Sequence, residues 1–263
     1  MEQVKGLLID LDGTLYHGKN MIDGADALIG KLREKNIPYL FVTNNSSRTP
    51  EQVAAHLIGM GIPASPEEVC TSSLAAASYI AHESPGAKVA ILGEEGLRQA
   101  LKDAGLEVTE EQPHYVVQGI DRSFSYSSLA KAVQWIQGGA ISVLTNPDLL
   151  LPSDTGLTPG AGSLGAAIEA ASGVKPVVIG KPSSILMKYA TDRLGLSPAE
   201  TVVVGDNMRT DIAAGANAGC RTVLVMTGIT TSENMESHMT AAGVRPDYIC
   251  QDLSEAADLL CTE

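Results

Sequence analysis

Aromatic side chains are scarce in this chain of 263 residues: one Trp, two Phe and seven Tyr make up 4% of it. Spread as they are, they offer no stacking platform for exposed bases. Cysteine is sparse as well. Cys70, Cys220, Cys250 and Cys261 form no C-x-x-C pair and have no His nearby at a zinc-ligand spacing, so neither a disulfide framework nor a zinc cluster is expected. Each of the five His stands alone. Basic residues are in deficit, 18 Lys and Arg against 31 Asp and Glu, and the net charge of −13 suits neither nucleic acid nor an anionic membrane. No apolar run approaches the roughly 20 residues of a membrane span, and Leu7-Leu8-Ile9 is too short for a signal peptide. A cytoplasmic protein with no nucleic-acid or membrane partner is expected, its oligomeric state left open, a homo-oligomer included. The same negative charge opposes phosphorylated metabolites, so a site for one needs a local device to offset it.

With 44% hydrophobic residues the chain can bury a sizeable core. Short β-branched apolar runs alternate with helix-permissive stretches. Strands are predicted at 6–10, 39–43, 88–92, 115–118, 141–144, 177–180, 201–205 and 222–225. Helices are predicted at 24–35, 50–60, 73–82, 96–104, 126–138, 162–171, 183–194 and 210–218. This alternation argues for an α/β fold with a doubly wound parallel sheet, which binds ligands at the carboxyl ends of its strands.

Four of those ends are chemically loaded. Asp10-Leu11-Asp12-Gly13 puts two carboxylates on one side of an extended chain, costly unless a cation or a shared proton relieves them. Thr43-Asn44-Asn45-Ser46-Ser47 gathers small hydrogen-bonding groups suited to phosphate oxygens, or equally to capping the helix at Pro50. Gly180-Lys181-Pro182 supplies a cation, and Gly205-Asp206-Asn207-Met208-Arg209-Thr210-Asp211 returns carboxylates. Each has an ordinary reading as a turn or a solvated surface group. Their conjunction, in this order, is far more specific than any one of them.

In that conjunction the chain resembles the haloacid dehalogenase (HAD) superfamily. More narrowly it resembles the NagD-like, p-nitrophenyl-phosphatase-like subfamily, through LIDLDGTLY, FVTNNSSRTP, GAGSLGAAIEAASG, IGKP and VVVGDNMRTDIAAG. The resemblance runs from Gly6 to about Asp258 and implies a Rossmann-like core at 1–82 and 176–263, interrupted by an α/β cap at 83–175 that selects substrate. It implies a Mg²⁺-dependent phosphatase acting on small phosphorylated metabolites such as sugar phosphates or nucleoside monophosphates. By motif, Asp10 is the nucleophile that becomes an aspartyl-phosphate, and Asp12 is the acid for the leaving oxygen and then the base for water. The Asp10 carboxylate, the Asp12 main-chain carbonyl and Asp206 hold the metal, while Thr43, Asn44 and Asn45 contact the phosphoryl group. Lys181 neutralises Asp10 and phosphate, and Asn207 and Asp211 support the metal and the lysine. Asp12 also favours a phosphatase over a dehalogenase, because an alkoxide leaving group needs a proton and a halide does not. Phosphoryl transfer to an acceptor other than water is an alternative. So is a non-catalytic phosphate-binding regulatory protein, though that would not need both Asp10 and Asp12.

Within the insert, Thr145-Asn146-Pro147-Asp148 resembles the subfamily's TNPD segment and makes Asn146 and Asp148 candidates for the leaving group, unless the segment is a plain turn. Pro85-Gly86 and Gly173 are candidate hinges, or equally a pair of ordinary turns. Gly160-Ala161-Gly162-Ser163-Leu164-Gly165 matches G-x-G-x-x-G, but no strand is predicted at Leu157-Thr158-Pro159 and no acidic residue ends a second strand about 20 residues on, so a dinucleotide site is not expected. The same stretch approaches G-x-S-x-G with Ala at its first position, and a serine hydrolase is not expected either.

Overall fold

The structure is a computed structural model that describes residues 5–153 and 156–261. Its contacts divide the chain into two compact units, one of residues 1–43, 51–70 and 181–263, the other of 44–50 and 71–180. No helix of the described residues is long and apolar enough to cross a membrane.

The first unit is built on a six-stranded sheet in the order Tyr248–Cys250, Arg221–Val225, Thr201–Gly205, Gly6–Ile9, Tyr39–Thr43, Val69–Thr71. Its central pairings are parallel, with Ile9 opposite Val204 on one side and Phe41 on the other. Gly6–Ile9 is buried at every position because both faces of the sheet are covered. On one face Leu7, Ile9, Phe41, Val202 and Val204 meet apolar residues of the helices Ala25–Glu34, Pro50–Gly59 and Leu253–Leu260. The other face carries Ser184–Leu194 and Ala213–Ala218. Ser183 caps the former of these by accepting a hydrogen bond from the Ile185 N–H, and left-handed Gly195 ends it.

From Gly6–Ile9 the chain winds outward through Tyr39–Thr43 and returns on the opposite side at Thr201–Gly205. The order therefore reverses between Gly6–Ile9 and Thr201–Gly205, the switch point where a doubly wound sheet opens a crevice. Asp10 and Asp206 are the residues that follow those two strands.

The second unit has its own parallel sheet, ordered Val177–Val178, Ile141–Leu144, Tyr115–Gln118, Lys88–Leu92, Glu107–Val108. Helices Ser72–Glu83, Glu95–Asp103, Tyr126–Gln137 and Ala161–Ser172 belong to it. The packed unit is wider than the predicted insert at 83–175, because Ser72–Glu83 packs against Glu95–Asp103. Gly86 and Gly173 both have positive φ inside this unit, where Gly173 ends the helix Ala161–Ser172. Neither lies at a border between units.

Contrary to the sequence expectation, residues 157–159 do lie in a strand. Gly156–Pro159 pairs antiparallel with Leu150–Ser153. The hairpin is separate from the parallel sheet, so it does not supply the strand–turn–helix of a dinucleotide site. The glycines that follow serve close packing instead. A Cβ on Gly160 would lie 2.2 Å from the Asp148 carbonyl oxygen, and one on Gly162 would lie 2.1 Å from that of Pro147.

Candidate active site

Asp10 leaves the central strand with its N–H bonded to the Val204 carbonyl at 2.9 Å, which pins its backbone to the neighbouring strand. Leu11 then turns into the core, 2% exposed, while Asp12 is exposed and bridges to Tyr16. Gly13 follows with φ +94°, and a Cβ there would lie 2.6 Å from an Asp206 carboxylate oxygen. Only glycine lets the turn come this close.

The carboxylates of Asp10, Asp206 and Asp211 each bring an oxygen within 4.8 Å of the others. Asp206 and Asp211 are buried and Asp10 is partly buried. Asp211 is placed by a single π-helical turn, Met208–Ile212, a feature concentrated at functional sites. Its Oδ2 accepts the Asn207 N–H at 3.1 Å, and the Asn207 side chain accepts the Arg209 N–H at 2.9 Å. Asn207 therefore shapes the turn that presents Asp211.

Lys181 enters from the turn after the predicted strand at 177–180. Its Nζ donates to Asp10 Oδ1, to Asp211 Oδ1 at 2.6 Å and to the Val42 carbonyl at 3.2 Å. Thr14, part of LIDLDGTLY but given no role from the sequence, donates within reach of both Asp10 Oδ2 at 3.2 Å and Asp206 Oδ1 at 3.1 Å. Ile229 N–H donates to Asp206 Oδ2 at 2.7 Å.

The electrostatics follow from this crowding. Burial pushes the Asp10 carboxyl well above the usual carboxylate range; Asp211 adds to the rise, Lys181 opposes it and Asp206 adds a little more. Burial and then Asp211 raise Asp206 to about 6, against the Ile229 N–H and the Thr14 hydroxyl. Burial alone would lower the Lys181 ammonium, but Asp10 and Asp211 outweigh it and hold it charged. One ammonium among three carboxylates leaves the cluster negative when all are ionised. The donors are hard oxygens, with no His or Cys among them, so the set fits a divalent cation of the Mg²⁺ type.

Thr43 ends its strand half-buried, next to the Val42 carbonyl that Lys181 engages. The remaining predicted residues lie in the second unit. Asn44 Nδ2 donates to Asp148 Oδ2 at 3.0 Å, and the Asn44 carbonyl accepts from Asn146 Nδ2 at 2.8 Å and Ser72 Oγ at 2.7 Å. Asn146 Oδ1 in turn accepts the Asp148 N–H at 3.2 Å. Asn44, Asn146 and Asp148 thus form one network. Asn45 Oδ1 accepts from the Ser47 N–H, the Ser47 hydroxyl and the Arg48 N–H, which is the turn role that its sequence also allowed.

Comparison with known proteins identifies the family. Residues 7–107 match the profile described as haloacid dehalogenase-like hydrolase, and residues 178–256 match a HAD-hydrolase-like profile. The chain is 47% identical over 255 residues to the 5'-nucleotidase YutF of Bacillus subtilis, covering 97% of this chain and 98% of that one. It is 46% identical over 257 residues to an acid sugar phosphatase of Staphylococcus aureus, with the same coverage. Among solved structures, the p-nitrophenyl phosphatase from Archaeoglobus fulgidus superposes with a TM-score of 0.92 at 36% identity, over 98% of this chain and 100% of that one. With its acidic strand ends, its lysine and relatives that match nearly end to end, the chain belongs to the haloacid dehalogenase-like hydrolases.

Proposed function

We propose that this chain hydrolyses small-molecule phosphomonoesters, sugar phosphates or nucleoside monophosphates, through a phosphoryl group carried on Asp10, with Mg²⁺ as the metal. The chain is a phosphoric monoester hydrolase, and the observation that carries the mechanism is Lys181 bonded to both Asp10 and Asp211 beside Asp206. Asp10, Asp206 and the Asp12 main-chain carbonyl hold the metal, with Asp211 and Asn207 supporting it. When bound, the metal offsets repulsion between the Asp10 carboxylate and a phosphate dianion.

An Asp10 carboxylate oxygen bonds to phosphorus as the ester P–O bond breaks, and protonated Asp12 gives its proton to the departing oxygen. Asp12, now a carboxylate, takes a proton from water. The water oxygen attacks phosphorus, the P–O bond to Asp10 breaks, and inorganic phosphate leaves with both aspartates restored. Lys181 favours the ionised form of Asp10 against the effect of burial and pairs with the phosphoryl charge. Thr43, Asn44 and Asn45 contact the phosphoryl oxygens.

The second unit, read as the inserted cap, selects substrate, with Asn146 and Asp148 toward the leaving group. The names of the nucleotidase and sugar-phosphatase relatives support the two substrate classes. The four cysteines are free and buried, which supports a cytoplasmic setting. A panel of phosphorylated metabolites, assayed with Mg²⁺ and with EDTA, tests the reading. Release of phosphate only with Mg²⁺ is expected; turnover unchanged by EDTA overturns the metal assignment, and no turnover on any monoester overturns the activity.

A further inference from the structure

The strand Arg221–Val225 ends in Met226-Thr227-Gly228-Ile229-Thr230, a segment that carries no recognised motif yet encloses Asp206. Ile229 N–H bonds to Asp206 Oδ2 at 2.7 Å, Thr230 N–H bonds to the Asp206 carbonyl at 3.2 Å, and Thr230 Oγ1 accepts the Met208 N–H at 3.3 Å. Gly228 lies so close that a Cβ would stand 2.1 Å from Asp206 Oδ2 and 2.7 Å from the Gly13 carbonyl oxygen. Two side chains tie this segment to the turn after Asp10. Thr227 Oγ1 donates to the Gly13 carbonyl at 2.8 Å. His17 Nε2 lies 2.7 Å from the Thr227 carbonyl oxygen, which can only accept, so the ring carries its proton on that nitrogen. His17 sits on the small hairpin of Tyr16–His17 with Asn20–Met21, which begins just after the Gly13-Thr14-Leu15 turn.

We propose that Thr227 and His17 are positioning residues for the metal site, acting through Asp206, a proposal that rests on Asp206 being a metal ligand. The Asp206 carboxylate is aimed by two donors, Thr14 Oγ1 on one oxygen and Ile229 N–H on the other. Thr14 moves with the turn after Asp10, and Ile229 moves with the segment that Thr227 and His17 fasten to that same turn. The two donors are thereby held in one frame, so the Asp206 oxygens keep their direction toward Asp10 when the surface segments fluctuate. Loss of the Thr227 hydroxyl removes one of the ties that hold the Ile229 donor, leaving Thr230 and His17, and part of the ordering of the carboxylate is then met at the expense of metal binding. Groups that orient a metal-ligating carboxylate have this effect generally.

The test uses the full chain and reads the half-saturating Mg²⁺ concentration twice: from p-nitrophenyl phosphate hydrolysis, and from the Mg²⁺-dependent rise in Tm without substrate. Thr227→Val is expected to shift both midpoints to about tenfold more Mg²⁺, and Thr227→Ser, which keeps the hydroxyl, to return both to within about twofold of the parent protein. His17→Ala is expected to shift both in the same direction by a smaller factor. An unshifted Thr227→Val midpoint, or a Ser variant displaced as far as the Val variant, overturns the proposal. Should Thr227→Val fail to fold, an unshifted His17→Ala overturns it. A parent protein whose hydrolysis and Tm both ignore Mg²⁺ overturns the metal reading itself, and the proposal with it.

Discussion

Lys181 and Asp211 meet at 2.6 Å, although their side chains are only 3% and 2% exposed and they lie 30 positions apart in sequence. The same ammonium binds Asp10, so one cation joins the end of the strand Gly6–Ile9 to the π-helical turn Met208–Ile212. Burying such a pair is costly, and removing one partner is costlier still because it strands the other. Lys181→Met is expected to lower stability by about 3–5 kcal/mol in urea unfolding. It should lower p-nitrophenyl phosphate hydrolysis at least about 100-fold, as loss of a preorganised charge partner does. Wild-type stability in this variant contradicts the buried-pair account.

The raised pKa of Asp206 fixes the sign of a pH effect. A carboxyl whose pKa rises on folding, here from 3.8 to about 6, holds its proton more tightly in the native state. Its contribution to stability is present below the unfolded value and is lost as pH rises through about 6. In EDTA, Asp206→Asn should therefore gain on the parent protein by about 2–3 kcal/mol between about pH 4 and about pH 7. Unfolding curves for both proteins across that range check it, and adding Mg²⁺ above about pH 6 should restore the parent protein's advantage.

Asp12 is exposed while Asp10 is partly buried, and the proposed acid role of Asp12 is tested by its removal. Asp12→Asn should slow alkyl phosphates by a factor about 10²–10³ larger than it slows p-nitrophenyl phosphate, whose leaving group scarcely needs a proton. The ratio of the two kcat/KM losses measures this. Equal losses on the two substrates contradict the acid role.

Gly162 and Gly30 make a contrasting pair. Both are helical, but a Cβ at Gly162 meets the Pro147 carbonyl at 2.1 Å, while one at Gly30 meets nothing within 4 Å. Gly162→Ala should cost about 1–3 kcal/mol by overpacking, and Gly30→Ala should gain roughly 0.5–1 kcal/mol from helix propensity. Denaturant unfolding of the two variants decides whether the Gly-rich run serves packing beneath the Asn146-Pro147-Asp148 turn.

The long strands and helices were legible in the sequence because β-branched runs such as Val202-Val203-Val204 and amphipathic stretches such as Glu95–Asp103 declare their period. Missed strands were short, as in Val69–Thr71 and Tyr248–Cys250, or interrupted by proline, as in Leu150–Ser153 with Gly156–Pro159. The helix Met235–Ala242 was also missed, for only Met239 of its residues is buried. In the site, Asp10, Asp206, Asp211 and Lys181 stood out because each follows a strand run and carries charge. Thr14, Thr227 and Ile229 did not, since a hydroxyl or a backbone N–H bears no signal until the turn geometry aims it.

Capture of the phosphorylated residue tests the central claim most directly. An acyl phosphate on aspartate is reduced by borohydride to homoserine, which peptide mass spectrometry can locate. Quenching the enzyme during turnover with Mg²⁺ and substrate should place homoserine at position 10, and nowhere without substrate. A protein that turns over fully yet yields no homoserine at that position, or yields it at Asp12, Asp206 or Asp211 instead, contradicts the account.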